Sequence, residues 1–163
     1  MSLRILAVCA GNICRSPAAE AAIRVAAAEQ GVDVEVDSAG TGSWNVGEPP
    51  NPQAVEAGKR AGLEIKGRAR KVNVADFDRF DVIVVMDRSN LRDVTSLAPS
   101  LEARAKVRLF RTYDSGSELD EIPDPFGRAD RFFDETMTVV RASARGLIES
   151  LASVGVENAV SLE

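Results

Sequence analysis

The alternation of short apolar runs with helical patterns predicts an α/β fold, in which a parallel sheet is covered by helices. Three observations support this prediction. Four apolar segments are separated by helix-like segments, as in parallel strands joined by crossover helices. Residues 81–86 are almost wholly apolar, as expected of a central strand covered on both faces. Several of the helical stretches also begin or end at residues that favour helix termini.

The first half of the chain is predicted to hold two strands, 3–8 and 32–37, and two helices, 18–30 and 52–61. The first helix is rich in alanine and stops at Gly31, which suits a left-handed helix C-terminus. The segment 32–37 alternates valine with acidic residues, which is typical of a half-exposed strand near an edge. Residues 38–51 are dense in Gly, Pro, Ser and Asn and are predicted to form an irregular loop, with Asn51 capping the next helix.

The second half is predicted to hold strands at 81–86 and 106–110. A helix capped by Ser89-Asn90 must end before Pro99, and a final helix covers 130–151. The long polar loop 112–128 precedes that final helix. Because ligands of open parallel sheets bind outside the carboxyl ends of the strands, the loops that follow the four strands are expected to surround one crevice.

Length, composition and net charge exclude several classes of protein and of active site. The 163 residues predict one domain, 1–163, and no apolar stretch approaches the ~20 residues of a membrane span. The N-terminus lacks a signal-peptide pattern, so a cytoplasmic protein is expected. A net charge of −5 argues against general nucleic-acid binding. Histidine is absent, which excludes Ser-His-Asp and Cys-His machinery and histidine-bearing zinc sites.

The most informative segment is 9–16, Cys-Ala-Gly-Asn-Ile-Cys-Arg-Ser, between the first strand and the first helix. Its backbone N–H groups and the positive end of the following helix would converge on one anion. The same field favours a thiolate at Cys9, and Arg15 can grip a tetrahedral oxyanion through two parallel hydrogen bonds. This combination indicates phosphoryl transfer through a phosphocysteine. The alternative is a buried structural cysteine beside an arginine that caps a helix.

A phosphocysteine mechanism needs an acid for the leaving group, and a chain without histidine must use Asp or Glu. The best candidate is Asp124, which lies between two prolines in the long polar loop. Those prolines would restrict the position of the carboxyl group. The alternative is an ordinary proline turn with an aspartate that faces solvent.

These residues resemble those of the low-molecular-weight protein tyrosine phosphatases. The resemblance rests on the motif 9–17 with Asp124-Pro125, and further on the segment 37–41, Trp44, Gly47 and the segment 86–90. It extends over nearly the whole chain. It implies three layers, with a twisted four-stranded parallel sheet and helices on both faces. It also implies protein substrates that carry phosphotyrosine, with no cofactor and no metal. The sequence does not reveal the oligomeric state, and a monomer is the expectation.

The resemblance assigns roles to individual residues. Cys9 would attack phosphorus, Arg15 would hold the phosphoryl oxygens, and Asp124 would first protonate the phenolate and then activate water. The implied substrate-binding set is Ala10, Gly11, Asn12, Ile13, Cys14, Ser16, Trp44 and Phe126, with the two aromatic residues as walls of a cleft. Ser16 would also bond the Cys9 sulfur, Asn12 would hold the loop together with Ser38, and Cys14 would form a reversible disulfide with Cys9.

Two departures and three alternatives remain. Gly67 stands where many relatives carry a histidine bonded to the loop asparagine, and Gly127 replaces a second aromatic residue after Phe126. Protein arginine phosphatases share the scaffold but typically have threonine where this chain has the apolar Ile13. Thiol-linked arsenate reductases use further downstream cysteines, and none follows Cys14. A catalytically silent phosphate-binding module is the third alternative, although such a module would be expected to lose a reactive residue.

Overall fold

The computed structural model describes residues 2–161 of the chain, and side chains are described for residues 2–153; this part contains four strands and six α-helices. The strands are β1 (Leu3–Cys9), β2 (Val34–Gly40), β3 (Val82–Val85) and β4 (Val107–Leu109). The helices are α1 (Arg15–Gln30), α2 (Pro52–Arg60), α3 (Asp76–Arg79), α4 (Arg88–Thr95), α5 (Leu101–Arg104) and α6 (Asp130–Ser161), and one 3₁₀ turn covers Phe110–Tyr113.

All four strands are parallel and lie in the order β2-β1-β3-β4. Cys9, the last residue of β1, pairs with Gly40 of β2, and Val8 pairs with Val85 of β3. The predicted α/β fold class is confirmed. The edge position of the second strand and the buried interior position of the third are also as predicted.

Helices cover both faces of the sheet because successive side chains of a strand point in opposite directions. In β1, Ile5, Ala7 and Cys9 belong to an apolar cluster with residues of α1, α2 and α6. Leu6 and Val8 belong to a second cluster with residues of α3, α4 and α5. Burial of each large apolar side chain contributes about 1.5–3 kcal/mol, so the two clusters fix the position of the strand that ends at Cys9.

Three element boundaries differ from the prediction for local reasons. α1 begins at Arg15 rather than residue 18, because Pro17 lies in the first turn, where its missing N–H costs no helical hydrogen bond. β2 continues to Gly40, whose N–H donates to the Arg70 carbonyl at 2.8 Å. The cap of α4 is Asp87, whose Oδ1 accepts the Asn90 N–H at 2.8 Å, and the prediction of Ser89-Asn90 as the cap is wrong.

The helices differ from the prediction in number and length. α3 and α5 have four residues each, which is too short for a periodic apolar pattern to indicate them. α6 continues to Ser161, beyond the predicted end at residue 151. Within the described residues, no helix combines the length and apolar character needed to cross a membrane.

Gly146 lets α6 pack directly against the 3₁₀ turn, and we expect Gly146→Ala to destabilise the protein. A Cβ at this position would lie 1.8 Å from the Tyr113 carbonyl oxygen, a backbone atom that cannot easily move. Such overpacking costs about 1–3 kcal/mol, more than the gain of up to about 1 kcal/mol from the helix propensity of alanine. The free energy of unfolding in urea measures the effect.

The matched control is Gly116→Ala, whose Cβ would meet only the Asp114 carboxylate at 3.5 Å. It should change the free energy of unfolding by no more than about 0.5 kcal/mol. A Gly146→Ala protein as stable as the parent would show that the turn shifts at little cost.

Candidate active site

A cavity of about 220 Å³ lies at the carboxyl end of β1. Its lining residues are Cys9, Ala10, Gly11, Ile13, Cys14, Arg15, Trp44, Asn45, Asp124 and Phe126. Asn45 is the one member of this set that the sequence did not indicate. Three other predicted residues, Asn12, Ser16 and Ser38, are buried behind the loop and support it. Loops that follow different strands therefore meet at one crevice, as the parallel topology predicts.

The loop that connects β1 to α1 turns its carbonyl groups away from the cavity. These carbonyls accept hydrogen bonds as follows: Cys9 from Thr41 N–H (2.9 Å), Ala10 from Gly42 N–H (3.0 Å), Gly11 from Asn45 Nδ2 (3.2 Å) and Ile13 from Asn51 N–H (2.9 Å). In a trans peptide the N–H points opposite to the C=O, so the amides that follow these carbonyls point toward the cavity. Together with the start of α1, they form a site for a tetrahedral anion.

Asn12 holds the tightest bend of this loop. Its φ of 58° is the only positive value at a non-glycine residue in the described part of the chain. Such a conformation persists only where the surroundings fix it. The side-chain amide donates to Ser16 Oγ at 2.8 Å and to Ser38 Oγ at 3.0 Å, and its Oδ1 accepts the Arg70 N–H at 3.0 Å. Every polar atom of the asparagine side chain is therefore engaged.

Arg70 supplies a support for the loop where the family histidine is missing. Its backbone N–H binds Asn12, while its guanidinium donates to Asp37 at 3.0 Å and to both oxygens of the buried Asp76 at 3.1 Å. Gly67 itself has a φ of +102°, a conformation that residues with a side chain rarely adopt. A histidine at position 67 would therefore strain this backbone.

Two hydrogen-bonding groups lie against the sulfur of Cys9. The Asn12 N–H donates to Sγ at 3.2 Å, and Ser16 Oγ lies 3.0 Å from the same atom. Ser16 Oγ accepts a hydrogen from Asn12 Nδ2, so its own hydroxyl hydrogen can be donated either to the sulfur at 3.0 Å or to the Ala39 carbonyl at 3.4 Å. These two groups orient the sulfur and are hydrogen-bonding partners of the kind that an anionic nucleophile accepts.

Arg15 is held from behind by Asp87, a residue that the sequence places at the crevice but to which it assigns no individual role. The guanidinium is 3 % exposed, and its Nη1 donates to Asp87 Oδ2 at 2.7 Å and to the Ile122 carbonyl at 2.8 Å. Its Nη2 lies 3.9 Å from Asp124 Oδ2, on the cavity side. With Nη1 fixed in this way, the remaining N–H groups are oriented before any anion arrives.

The segment that carries Asp124 is fastened immediately upstream of that residue. The Ile122 N–H donates to the Met86 carbonyl at 2.8 Å, and Arg111 Nη1 donates to the Glu121 carbonyl at 2.9 Å. The Arg88 N–H donates to the Glu121 side chain at 2.8 Å. The Asp124 side chain itself is 51 % exposed, so its carboxyl group reaches both the cavity and solvent.

Two exposed aromatic side chains belong to the lining of the cavity. Trp44 is 67 % exposed and Phe126 is 60 % exposed, and both line the cavity. The Trp44 ring lies directly on Gly42, where a Cβ would be 1.5 Å from Trp44 Cζ3. Trp44 is therefore not part of the core. Exposed aromatic groups above a polar floor suit a planar ring with a charged end.

Cys14 is a second buried free thiol in the cavity wall. Burial, reinforced by the charge of Asp124, raises the pKa of Cys14 to about 12. At neutral pH this thiol is protonated and therefore a weak nucleophile.

Three supporting residues received no role in the sequence interpretation, for different reasons. Asp87 carried a usable signal, because it directly follows a buried strand at the edge where ligands bind. Asn45 lies in an irregular loop that has no periodic pattern. Arg70 reaches Asn12 through its backbone N–H, which no side-chain motif reveals. Within the described residues, no cluster of acidic or cysteine side chains is arranged to hold a metal ion.

Comparison with known proteins extends these observations. The family model for the low molecular weight phosphotyrosine protein phosphatases matches residues 4–157. The Schizosaccharomyces pombe protein of that name is 40% identical over 155 residues, which cover 93% of this chain and 98% of the relative. A Streptomyces coelicolor low molecular weight protein-tyrosine-phosphatase is 39% identical, with 93% and 94% covered. The crystal structure of an Entamoeba histolytica protein tyrosine phosphatase superposes with a TM-score of 0.90 at 29% identity, and the match covers 93% of this chain and 97% of that one.

Proposed function

The chain belongs to the low molecular weight protein tyrosine phosphatase family, and from this premise we propose that it hydrolyses phosphotyrosine in proteins through a phosphocysteine. One observation carries the proposal. Cys9, Arg15 and Asp124, which come from two distant parts of the chain, line the same cavity beneath two exposed aromatic rings. Nucleophile, anion receptor and acid are therefore all within reach of one aryl phosphate.

In the first step, the Cys9 thiolate attacks phosphorus and the bond to the phenolic oxygen breaks. Arg15 and the inward amides of the loop hold the three non-bridging oxygens, where charge is spread in the transition state. Asp124 gives its proton to the leaving phenolate. The products of this step are a free phenol, a phosphocysteine and an aspartate carboxylate.

In the second step, the Asp124 carboxylate takes a proton from a water molecule as that water attacks phosphorus. The sulfur–phosphorus bond breaks, inorganic phosphate leaves, and both the Cys9 thiolate and the Asp124 acid are regenerated. The exposure of Asp124 supports this double role, because a half-exposed carboxyl group has access to water. Asn12, Ser16 and Ser38 hold the loop in place during both steps.

The walls of the cavity favour an aryl ester over other phosphoryl groups. Trp44 and Phe126 flank a site whose floor lies at Cys9, so a phenyl ring can span the distance that a shorter serine side chain cannot. Ile13 adds an apolar side chain where arginine phosphatases typically carry threonine. The chain has no cysteine beyond Cys14 for an internal arsenate reductase relay. Phosphotyrosine is therefore the substrate that this lining supports best.

The test compares kcat/KM for three peptides of identical sequence that carry phosphotyrosine, phosphoarginine or phosphoserine. We expect a preference of at least about 100-fold for phosphotyrosine, because the binding energy of the ring contributes only when the ring is present. Trp44→Ala should reduce that preference about fivefold, which corresponds to the ~1 kcal/mol of an aromatic contact. Equal rates on phosphotyrosine and phosphoarginine would contradict the proposed specificity.

We also propose that Cys14 protects Cys9 from irreversible oxidation. Hydrogen peroxide would oxidise the Cys9 thiolate to a sulfenic acid and be reduced to water. The Cys14 thiolate would then attack the Cys9 sulfur, with release of the sulfenic oxygen as water and formation of a disulfide that external thiols reduce. Both thiols lie in the same loop and line the same cavity.

A Cys14→Ser variant should keep its initial activity but recover little of it when thiols are added after peroxide. Because the pKa of Cys14 is about 12, the rate of disulfide closure in the parent should rise roughly tenfold per pH unit between pH 7 and 9. Timed alkylation and intact mass measure this rate. Complete recovery of the variant, or closure that is independent of pH, would count against the protective role.

The remaining proposals concern the domain organisation, oligomeric state, partners and cellular compartment of the enzyme. We propose that residues 1–163 act as one phosphatase domain and as a monomer, with phosphotyrosine proteins as its partners. A reducing compartment such as the cytoplasm suits a thiol nucleophile, because disulfides there are continually reduced.

A further inference from the structure

A second cavity of about 420 Å³ lies behind the segment that carries Asp124, between this segment and α6. Pro123 and Pro125 line this rear cavity, whereas Asp124 and Phe126 line the active-site cavity. The chain at 123–126 thus forms a thin wall between the two cavities, and its residues face them alternately. No step of the proposed reaction uses the rear cavity.

The rear cavity has an excess of positive charge. Arg111 and Arg128 line it, against one carboxylate, Glu135. Within the described residues, neither arginine forms an ion pair. Arg111 uses Nη1 for the Glu121 carbonyl, its Nε is enclosed, and its Nη2 makes no hydrogen bond to the described residues. The Arg128 guanidinium lies 3.4 Å from the centre of the Phe132 ring, which leaves its N–H edges unused.

Most of the remaining lining is apolar, and Thr136 and Thr138 are its polar members. The two prolines, the exposed Leu119 and Val139 of α6 surround the space next to the arginines. Cavities of this size and mixed character take small organic ligands whose polar end is fixed by a few directed groups. A guanidinium group pairs best with a planar carboxylate through two parallel hydrogen bonds.

We propose that the rear cavity binds a small aromatic carboxylate, with its acid group paired to Arg111 and Arg128 and its ring against Pro123 and Val139. Such a ligand contacts the Asp124 segment from behind, through the prolines on either side of Asp124 and through the arginine that holds Glu121. Any change that the ligand causes in the hydrolysis rate rests on the proposed function, whereas binding of the ligand to the rear cavity does not.

The test is a titration of the full chain with 2-naphthoate, monitored by calorimetry and by backbone amide NMR, once without vanadate and once with vanadate filling the active-site cavity. We expect saturable binding at one site, with shifts centred on residues 119–128 and 135–139. Arg128→Ala should weaken the affinity at least fivefold, and Arg111→Gln should weaken it similarly.

Arg131→Ala is the matched control. Arg131 also lies over the Phe132 ring, at 4.8 Å, but it does not line the rear cavity, so its loss should change the affinity less than twofold. Absence of saturable binding, displacement by vanadate, or equal losses in Arg128→Ala and Arg131→Ala would overturn the proposal. Binding to a protein that fails to hydrolyse aryl phosphates would refute the proposed function and leave the rear site intact.

Discussion

A Cys9→Ser variant is expected to lose at least about 10⁴-fold in kcat on aryl phosphates, because no other group in the cavity can replace the attacking atom. Cys14 is the only other thiol in the chain, and its pKa of about 12 keeps it protonated at neutral pH. The serine hydroxyl would accept the same two hydrogen bonds but would remain an un-ionised, weak nucleophile. Steady-state assays with p-nitrophenyl phosphate measure the loss.

A binding measurement on the Cys9→Ser variant distinguishes loss of the nucleophile from misfolding of the protein. The anion site of the Cys9→Ser variant, formed by Arg15 and the inward amides, should remain intact, so a phosphotyrosine peptide should still bind with micromolar affinity. Cys14→Ser is the matched control, since it makes the same chemical change five residues away and should retain activity. If Cys9→Ser and the parent bound the peptide equally and neither hydrolysed it, the silent binding module would be the correct interpretation.

The order of the elements and the position of the cavity could be predicted because both follow from local patterns. The apolar runs identify β1 and β3, and the parallel topology places the loops after them at one edge. The cysteine loop is a contiguous motif, so its chemistry is also local. These features need no knowledge of which distant residues meet.

The resemblance predicted the contacts of Asn12 with Ser38 and of Ser16 with Cys9. Two further supports of the loop, Asp87 and the Arg70 N–H, were not predicted because they join residues that are far apart in the chain. Arg15 and Asp87 are 72 positions apart, and Asn12 and the Arg70 N–H are 58 apart. Such contacts depend on the exact docking of α1 and the 69–72 segment against the sheet, which no periodicity encodes. The rear cavity is likewise a product of how the Asp124 segment lies on α6.

These distant contacts have a common physical consequence for the reaction. Asp87 fixes Arg15 while also capping α4, and the Ile122 carbonyl that accepts from Arg15 belongs to the segment carrying the acid. The anion receptor and the acid are therefore linked through a single guanidinium group. Orientation set before the substrate arrives lowers the reorganisation that the transition state requires.

An Asp124→Asn variant is the sharpest probe of that arrangement, and we expect its effect to depend on the leaving group. With phenyl phosphate, whose phenolate needs a proton, kcat should fall about 10³-fold, within the range of general acid catalysis. With 2,4-dinitrophenyl phosphate, whose phenolate leaves without a proton, the first step should be nearly unchanged. The second step still lacks its base, so the phosphocysteine should accumulate.

Stopped-flow measurements with the dinitrophenyl ester should therefore show a burst of one phenolate per enzyme, followed by slow turnover. Acid quenching during the slow phase should trap phosphate on Cys9. Glu118→Gln provides the control, because it removes one negative charge from an exposed position in the same loop that does not line the cavity. It should leave kcat within twofold of the parent for both esters. An Asp124→Asn protein with equal losses on both esters and no burst would show that Asp124 does not transfer the proton, and that another acid serves the leaving group.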